Sequence, residues 1–149
     1  MPGTAQLHDL GQCPWLDNIT RELLTSGTLQ HYIDALSVTG LTSNPTNFDH
    51  AIAHTHFYDD AIRQKARDGT SGEALFFELA LEDLAAAAAL FRPVHDATEG
   101  RDGWVSLGLH ARAAIPNLLI KIPGTPPGLA AIEDASHRRA GQRHPPVLP

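Results

Sequence analysis

The stretch Asn117-Leu118-Leu119-Ile120-Lys121-Ile122-Pro123-Gly124-Thr125 places one lysine in the middle of an apolar run. Burying an ammonium disfavours its charged form and lowers its pKa. A desolvated lysine that is neutral near pH 7 is a nucleophile for carbonyl carbon, the chemistry of Schiff-base enzymes. That reading requires a buried strand over Leu118 to Ile122, with Lys121 near its end in a pocket. The rest of the chain has to supply the strands around it.

Outward from this run, strand and helix patterns alternate. Pro14 to Asp17 reads as a short strand ending in an acid, and Asn18 or Thr20 can cap a helix beginning near Arg21. Gly27 breaks that helix. Leu29, Ile33 and Leu36 then recur at helical spacing. Ser37 to Thr42 reads as a second strand. Asn44-Pro45 follows it, an X-Pro step that favours extended backbone and commonly precedes a helix start. Phe48 to Arg67 predicts helix in two pieces, broken near His54-Thr55-His56. Thr70 or Ser71 can cap a long helix from Gly72 to Leu90, whose alanine-rich centre has high helix propensity, and Arg92-Pro93 is expected to end it. Trp104 to Leu109 and Leu118 to Ile122 predict the third and fourth strands, and Gly128 to Ala135 starts another helix. The pattern is that of an α/β fold with a parallel sheet. One connection is too short for it: His110 to Asn117 is less than a helical crossover needs, roughly ten to twelve residues.

Composition bounds the function. The 149 residues are 42% hydrophobic and 19% charged, which suffices for a globular core. The formal net charge of −6 argues against a nucleic-acid footprint. The single Cys13 excludes an internal disulfide, is expected in the core, and fits a reducing compartment. Met1 to Gln12 lacks the basic and apolar regions of a signal peptide. No apolar run is long enough for a membrane span, so a cytoplasmic location is expected. His50 and His54 share a helix face with His56 nearby, but no carboxylate or cysteine pattern completes a zinc set, and no metal is expected. Glu78, Glu82 and Asp83 read as solvated helix surface, and Trp15 and Trp104 as packing residues. Residues 136–149, rich in Arg, His and Pro without periodicity, are expected to be a disordered tail after a domain over 1–135.

Several segments together resemble the N-terminal part of a transaldolase, most closely the actinobacterial type. Trp15 to Leu24 resembles that family's first barrel strand and helix. Gly40-Leu41-Thr42-Ser43-Asn44-Pro45-Thr46 resembles its first signature, and Arg92 to Thr98 with Asp102 to Ser106 the approach to its third strand. Asn117 to Thr125 resembles its second signature, which contains the Schiff-base lysine. The resemblance implies a partial (β/α)8 TIM barrel with about four strands present and a long helical insert after the second. In such barrels the catalytic groups sit at the C-terminal ends of strands. It also implies that Lys121 is the nucleophile adding to a sugar-phosphate ketone, that Asp17 is the general acid/base acting on the C4 hydroxyl, and that Asn44 contacts the bound three-carbon fragment, with Thr42 and Ser43 lining the strand end. The substrates so implied are fructose 6-phosphate, sedoheptulose 7-phosphate, erythrose 4-phosphate and glyceraldehyde 3-phosphate. No cofactor or metal is implied, because the protonated imine is itself the electron sink. A smaller Schiff-base aldolase of the same superfamily is disfavoured by the helical insert from Phe48 to Phe91.

The sequence departs from that family twice. The family's third strand carries a glutamate that assists carbinolamine dehydration, and Gly108 stands at its position. The text then passes directly to His110-Ala111-Arg112-Ala113, which resembles the end of the next helix, as if about two dozen residues of a crossover were missing. A complete barrel takes roughly 250 residues, and the family's phosphate-gripping arginine and serine have no counterpart in this chain. The alternative expectation is therefore an inactive, truncated remnant that acts at most as an association partner, with itself or with a longer relative.

Overall fold

The computed structural model describes residues 3–107, 115–120, 129, 132 and 133. The expected tail over 136–149, Lys121, Gly108 and the outer ends of the third and fourth strands lie outside the described residues.

The chain begins with α1 (Gly3–Asp9), a helix without buried residues that the sequence pattern did not signal. After β1 (Trp15–Leu16) comes α2 (Arg21–Thr25). Thr20 caps it as expected, its hydroxyl accepting from the Leu23 N–H at 3.2 Å. Gly27 takes a left-handed φ of 80° and separates α2 from α3 (Thr28–Leu36). The second strand is shorter than expected. Ser37 adopts a left-handed φ of 52° as the C-cap of α3, and β2 covers only Gly40–Thr42. Asn44 and Pro45 then open α4 (Pro45–His54) as cap and first residue. The break falls where expected, and α5 (Asp59–Arg67) follows with acids in its first turn and bases in its last, matched to the helix dipole.

The long helix is longer than the sequence suggested. α6 runs from Gly72 to Ala97 and passes through Pro93. A proline inside a helix forfeits its bond to the carbonyl four residues back. Both Pro93 and Ala89 are exposed, so water can satisfy the freed carbonyl, and Arg92 bonds both carboxylate oxygens of Asp96 across the same turn at 2.7 and 2.9 Å. Ser71 occupies the cap position without a side-chain bond. Leu79, Ala80, Leu84, Ala87, Ala88 and Phe91 form the buried stripe of α6. Asp83 lies in the same stripe at 2% exposure, which corrects its reading as solvated surface.

β3 (Trp104–Leu107) and β4 (Leu118–Ile120) complete one sheet in the order β1-β2-β3-β4, with every neighbouring pair parallel. Sequential parallel strands without a reversal of order are the arrangement of a (β/α) barrel, not of a doubly wound sheet. β4 keeps its place beside β3 despite the short connection. Asn117, buried just before β4, donates its side-chain N–H groups to Ala88 O of α6 at 2.8 Å and to Gly103 O at 2.9 Å, while its own carbonyl accepts from Val105 N–H at 2.9 Å. One row of the sheet, Leu16, Leu41, Val105 and Leu118, packs against the helices, with Leu41 and Val105 fully buried.

Candidate functional site

Side chains alternate between faces along a strand, so the row after Leu16-Leu41-Val105-Leu118 points to the other face. Thr42 is in register with Ser106, and Ser106 with Leu119. Asp17 follows Leu16 directly, at the level of Thr42. Asp17 is exposed, and Thr42, Ser106 and Leu119 are half-buried. The C-terminal ends of four strands therefore carry a carboxylate and two hydroxyls side by side on the face turned away from the helices. Trp15, one step back on β1, is 40% exposed.

Two residues of the expected site do structural work. Ser43 is buried and its N–H bonds Ser106 O at 2.9 Å, tying the end of β2 to β3. The side-chain oxygen of Asn44 accepts from the Thr46 N–H at 3.1 Å and caps α4. Asp17, Thr42, Ser43 and Asn44 are thus brought to one edge of the sheet. Lys121 lies outside the described residues, one position after Ile120, the last residue of β4. Ser106 shares the row and was not singled out from the sequence, which carried the third strand on to Leu109 and so placed Ser106 inside it.

Ser43, Asn44 and Pro45 also line a shallow, open depression with Ile19, Phe48, Phe76, Ala80 and Leu84. Its lining is largely apolar and includes neither Asp17, Thr42 nor Ser106. The described residues that line it carry no charged group, whereas the row at the strand ends carries the Asp17 carboxylate beside two hydroxyls, so that row is the candidate site.

A buried polar network lies beside the β1–α2 loop, and the sequence did not reveal it. The Tyr58 hydroxyl donates to Asp83 Oδ2 at 2.8 Å and accepts the backbone N–H of Arg21 at 2.8 Å. Arg21 Nε donates to Asp83 Oδ1 at 2.8 Å, its NH2 group reaches Glu82 at 3.0 Å, and its guanidinium lies 4.9 Å over the Tyr58 ring. Lys65 adds ion pairs to Glu78 at 2.8 Å and Glu82 at 2.7 Å. Burial pushes the Asp83 carboxyl above the usual carboxylate range, with Tyr58 and Arg21 pulling the other way. Burial and the neighbouring Asp83 charge push the Tyr58 phenol well up.

Cys13 is exposed, not in the core as expected. A hydrogen bond with Asp102, and then partial burial, raise its thiol pKa, which opposes a nucleophilic role. Asp102 also pairs with His8 of α1 at 3.3 Å. The His50 and His54 rings stack at 4.1 Å. Among the described residues no group of three or more His, Cys, Asp or Glu side chains is placed to hold a metal ion, and no helix is long and apolar enough to cross a membrane.

The sequence model of the transaldolase/fructose-6-phosphate aldolase family matches residues 14–139. This chain belongs to that family. Among similar proteins, the transaldolase of Thermobifida fusca (strain YX) is 40% identical over 148 residues, covering 87% of this chain and 40% of its own length. That of Arthrobacter sp. (strain FB24) is 39% identical over 147 residues, with the same two shares. That of Thiobacillus denitrificans (strain ATCC 25259 / T1) is 35% identical over 148 residues, covering 87% and 41%. The chain spans about 40% of the length of the curated relatives it matches. Each alignment is longer than the 87% of 149 residues it uses, so it holds positions of the relative for which this chain has no residue. The parallel strand order agrees with the barrel that the family implies.

Proposed function

We propose that the strand-end row belongs to a site for Schiff-base transfer of a dihydroxyacetone unit between sugar phosphates, the chemistry of the pentose phosphate pathway. The observation that carries this reading is the alignment of Asp17, Thr42 and Ser106 at one edge of a parallel sheet, with Lys121 one residue past the end of the adjoining β4. In this reading the Lys121 amine adds to the C2 ketone of fructose 6-phosphate or sedoheptulose 7-phosphate. The carbinolamine loses water to give an iminium. Asp17 takes the C4 hydroxyl proton, the C3–C4 bond breaks, and its electrons pass into the iminium as an enamine. Erythrose 4-phosphate or glyceraldehyde 3-phosphate leaves or arrives as the aldehyde. The side-chain oxygen of Asn44 is engaged by Thr46 N–H, so Asn44 would offer its amide nitrogen as a donor to a hydroxyl of the three-carbon fragment. A cytoplasmic location accompanies this chemistry.

A second reading is binding or self-association without turnover. It is favoured by Gly108, which cannot move a proton where the family has a glutamate, and by the exposed Trp15 on the strand-end face. Borohydride reduction in the presence of fructose 6-phosphate separates the two. A reduced adduct mapped by mass spectrometry to Lys121, and absent from Lys121→Ala, supports transfer. A cooperatively folded chain that gives no adduct supports the second reading, and sedimentation then reports its association.

A further inference from the structure

We infer that Tyr58 and Asp83 are positioning residues for Asp17, acting through the start of α2; the inference rests on the reading of Asp17 as the general acid/base. Four residues, 17–20, connect β1 to α2. Their upstream end is fixed where Leu16 pairs with Leu41. Ile19 is sunk in the core at 1% exposure, and Thr20 caps the helix. The downstream end is Arg21, and this residue is held twice. Its backbone N–H, one of the donors a helix start leaves without an internal partner, goes to the Tyr58 hydroxyl, and its guanidinium goes to Asp83. Both partners come from the segment between β2 and β3, which the sequence presents as an insert.

Tyr58 is fully buried, and its hydroxyl accepts from the Arg21 backbone while donating to the Asp83 carboxylate, so one group ties the helix start to α6 alongside the Arg21 guanidinium. Asp17, by contrast, is exposed, with strand pairing on one side and this clamp on the other. A general base works within hydrogen-bond reach of its proton, and misplacement by 1 Å costs up to about a hundredfold in rate. The helices between β2 and β3 therefore act on the strand-end site through the Tyr58 hydroxyl. Tyr58→Phe deletes that hydroxyl while keeping the ring that packs edge-on against Phe48 at 5.6 Å.

The test is residue-resolved amide hydrogen exchange with backbone chemical shifts on the full chain, comparing wild type, Tyr58→Phe and Leu79→Ala. Leu79→Ala weakens the core without touching the network. Tyr58→Phe is expected to speed exchange at the Arg21 amide at least tenfold and to shift the resonances of residues 17–20, with β2 and the centre of α6 unchanged. Leu79→Ala is expected to speed all elements together. Should Tyr58→Phe not fold, Asp83→Asn is used in its place, with a smaller effect at the same residues. The inference is overturned if residues 17–21 respond no more than α6 does. The Lys121 borohydride adduct is measured alongside: its absence from wild type removes the transaldolase reading and leaves the exchange result to decide the clamp.

Discussion

The indole of Trp15 lies across Gly40: a β-carbon placed on Gly40 would stand 2.5 Å from Trp15 Cε2 and 2.7 Å from its Nε1. These residues are register partners in β1 and β2, and Gly40 opens the signature that ends in Asn44-Pro45-Thr46. The glycine is required here for space, because the ring occupies the room a side chain would take. Gly40→Ala must move the indole and is expected to cost about 1–3 kcal/mol, the usual range for overpacking. In the double variant Gly40→Ala, Trp15→Ala the clash has no partner. A double-mutant cycle by urea unfolding should return a coupling of about 1 kcal/mol or more, and additive effects would refute the contact.

Asn117 begins the lysine-bearing signature, yet its side chain serves the fold. It is 1% exposed and satisfies two buried carbonyls, on Ala88 and Gly103. Asn117→Leu leaves both acceptors without that donor and is expected to cost about 2–4 kcal/mol. Asn117→Asp, which has no N–H to give and brings a charge into the core, should cost at least as much. Chemical denaturation followed by circular dichroism measures both. A loss within about 0.5 kcal/mol, the range of ordinary surface changes, would contradict the role.

Pro93 offers the opposite sign. Proline is about 3 kcal/mol worse than alanine inside a helix, although alanine also frees the unfolded chain by up to about 1 kcal/mol. Because Pro93 sits on the exposed side of α6, no packing opposes the change. Pro93→Ala should stabilise the chain by about 1–2 kcal/mol and raise its thermal midpoint; a lower midpoint would show that the proline relieves a conflict elsewhere.

What the sequence made legible were features whose cause is local. The cap before Arg21 was narrowed to Asn18 or Thr20 and is Thr20, the break near His54 falls where it was read, and Asn44-Pro45 was recognised as preceding a helix, although that helix starts at Pro45 and not at Phe48; all three are short-range chemistry. The strand ends carrying Asp17 and Thr42 were legible because turn residues follow them at once. Asp83 was misread because Glu78 and Glu82 closely precede it in sequence and are exposed; its partners Arg21 and Tyr58 lie 62 and 25 positions away. Pro93 was read as a terminus because proline usually is one, whereas Arg92 and Asp96 hold the turn across it. Helix α1 buries nothing and so lacks the apolar periodicity by which helices are recognised.

The Tyr58 phenol predicts an alkaline dependence of stability. Burial first, and then the Asp83 charge, raise its pKa above the ordinary value of 10.0. A proton held more tightly when folded than when unfolded makes a contribution that is fully present below pH 10 and falls as pH rises above it, with a slope of up to about 1.4 kcal/mol per unit for one group. The wild-type chain should therefore lose stability more steeply above pH 10 than Tyr58→Phe, which has no proton to lose at that position. Urea midpoints measured from pH 8 to 11 on both chains test this, with the tyrosinate absorbance reporting ionisation directly. Parallel curves for the two chains above pH 10 would mean that the hydroxyl ionises as readily in the fold as out of it, against its burial beside the Asp83 carboxylate.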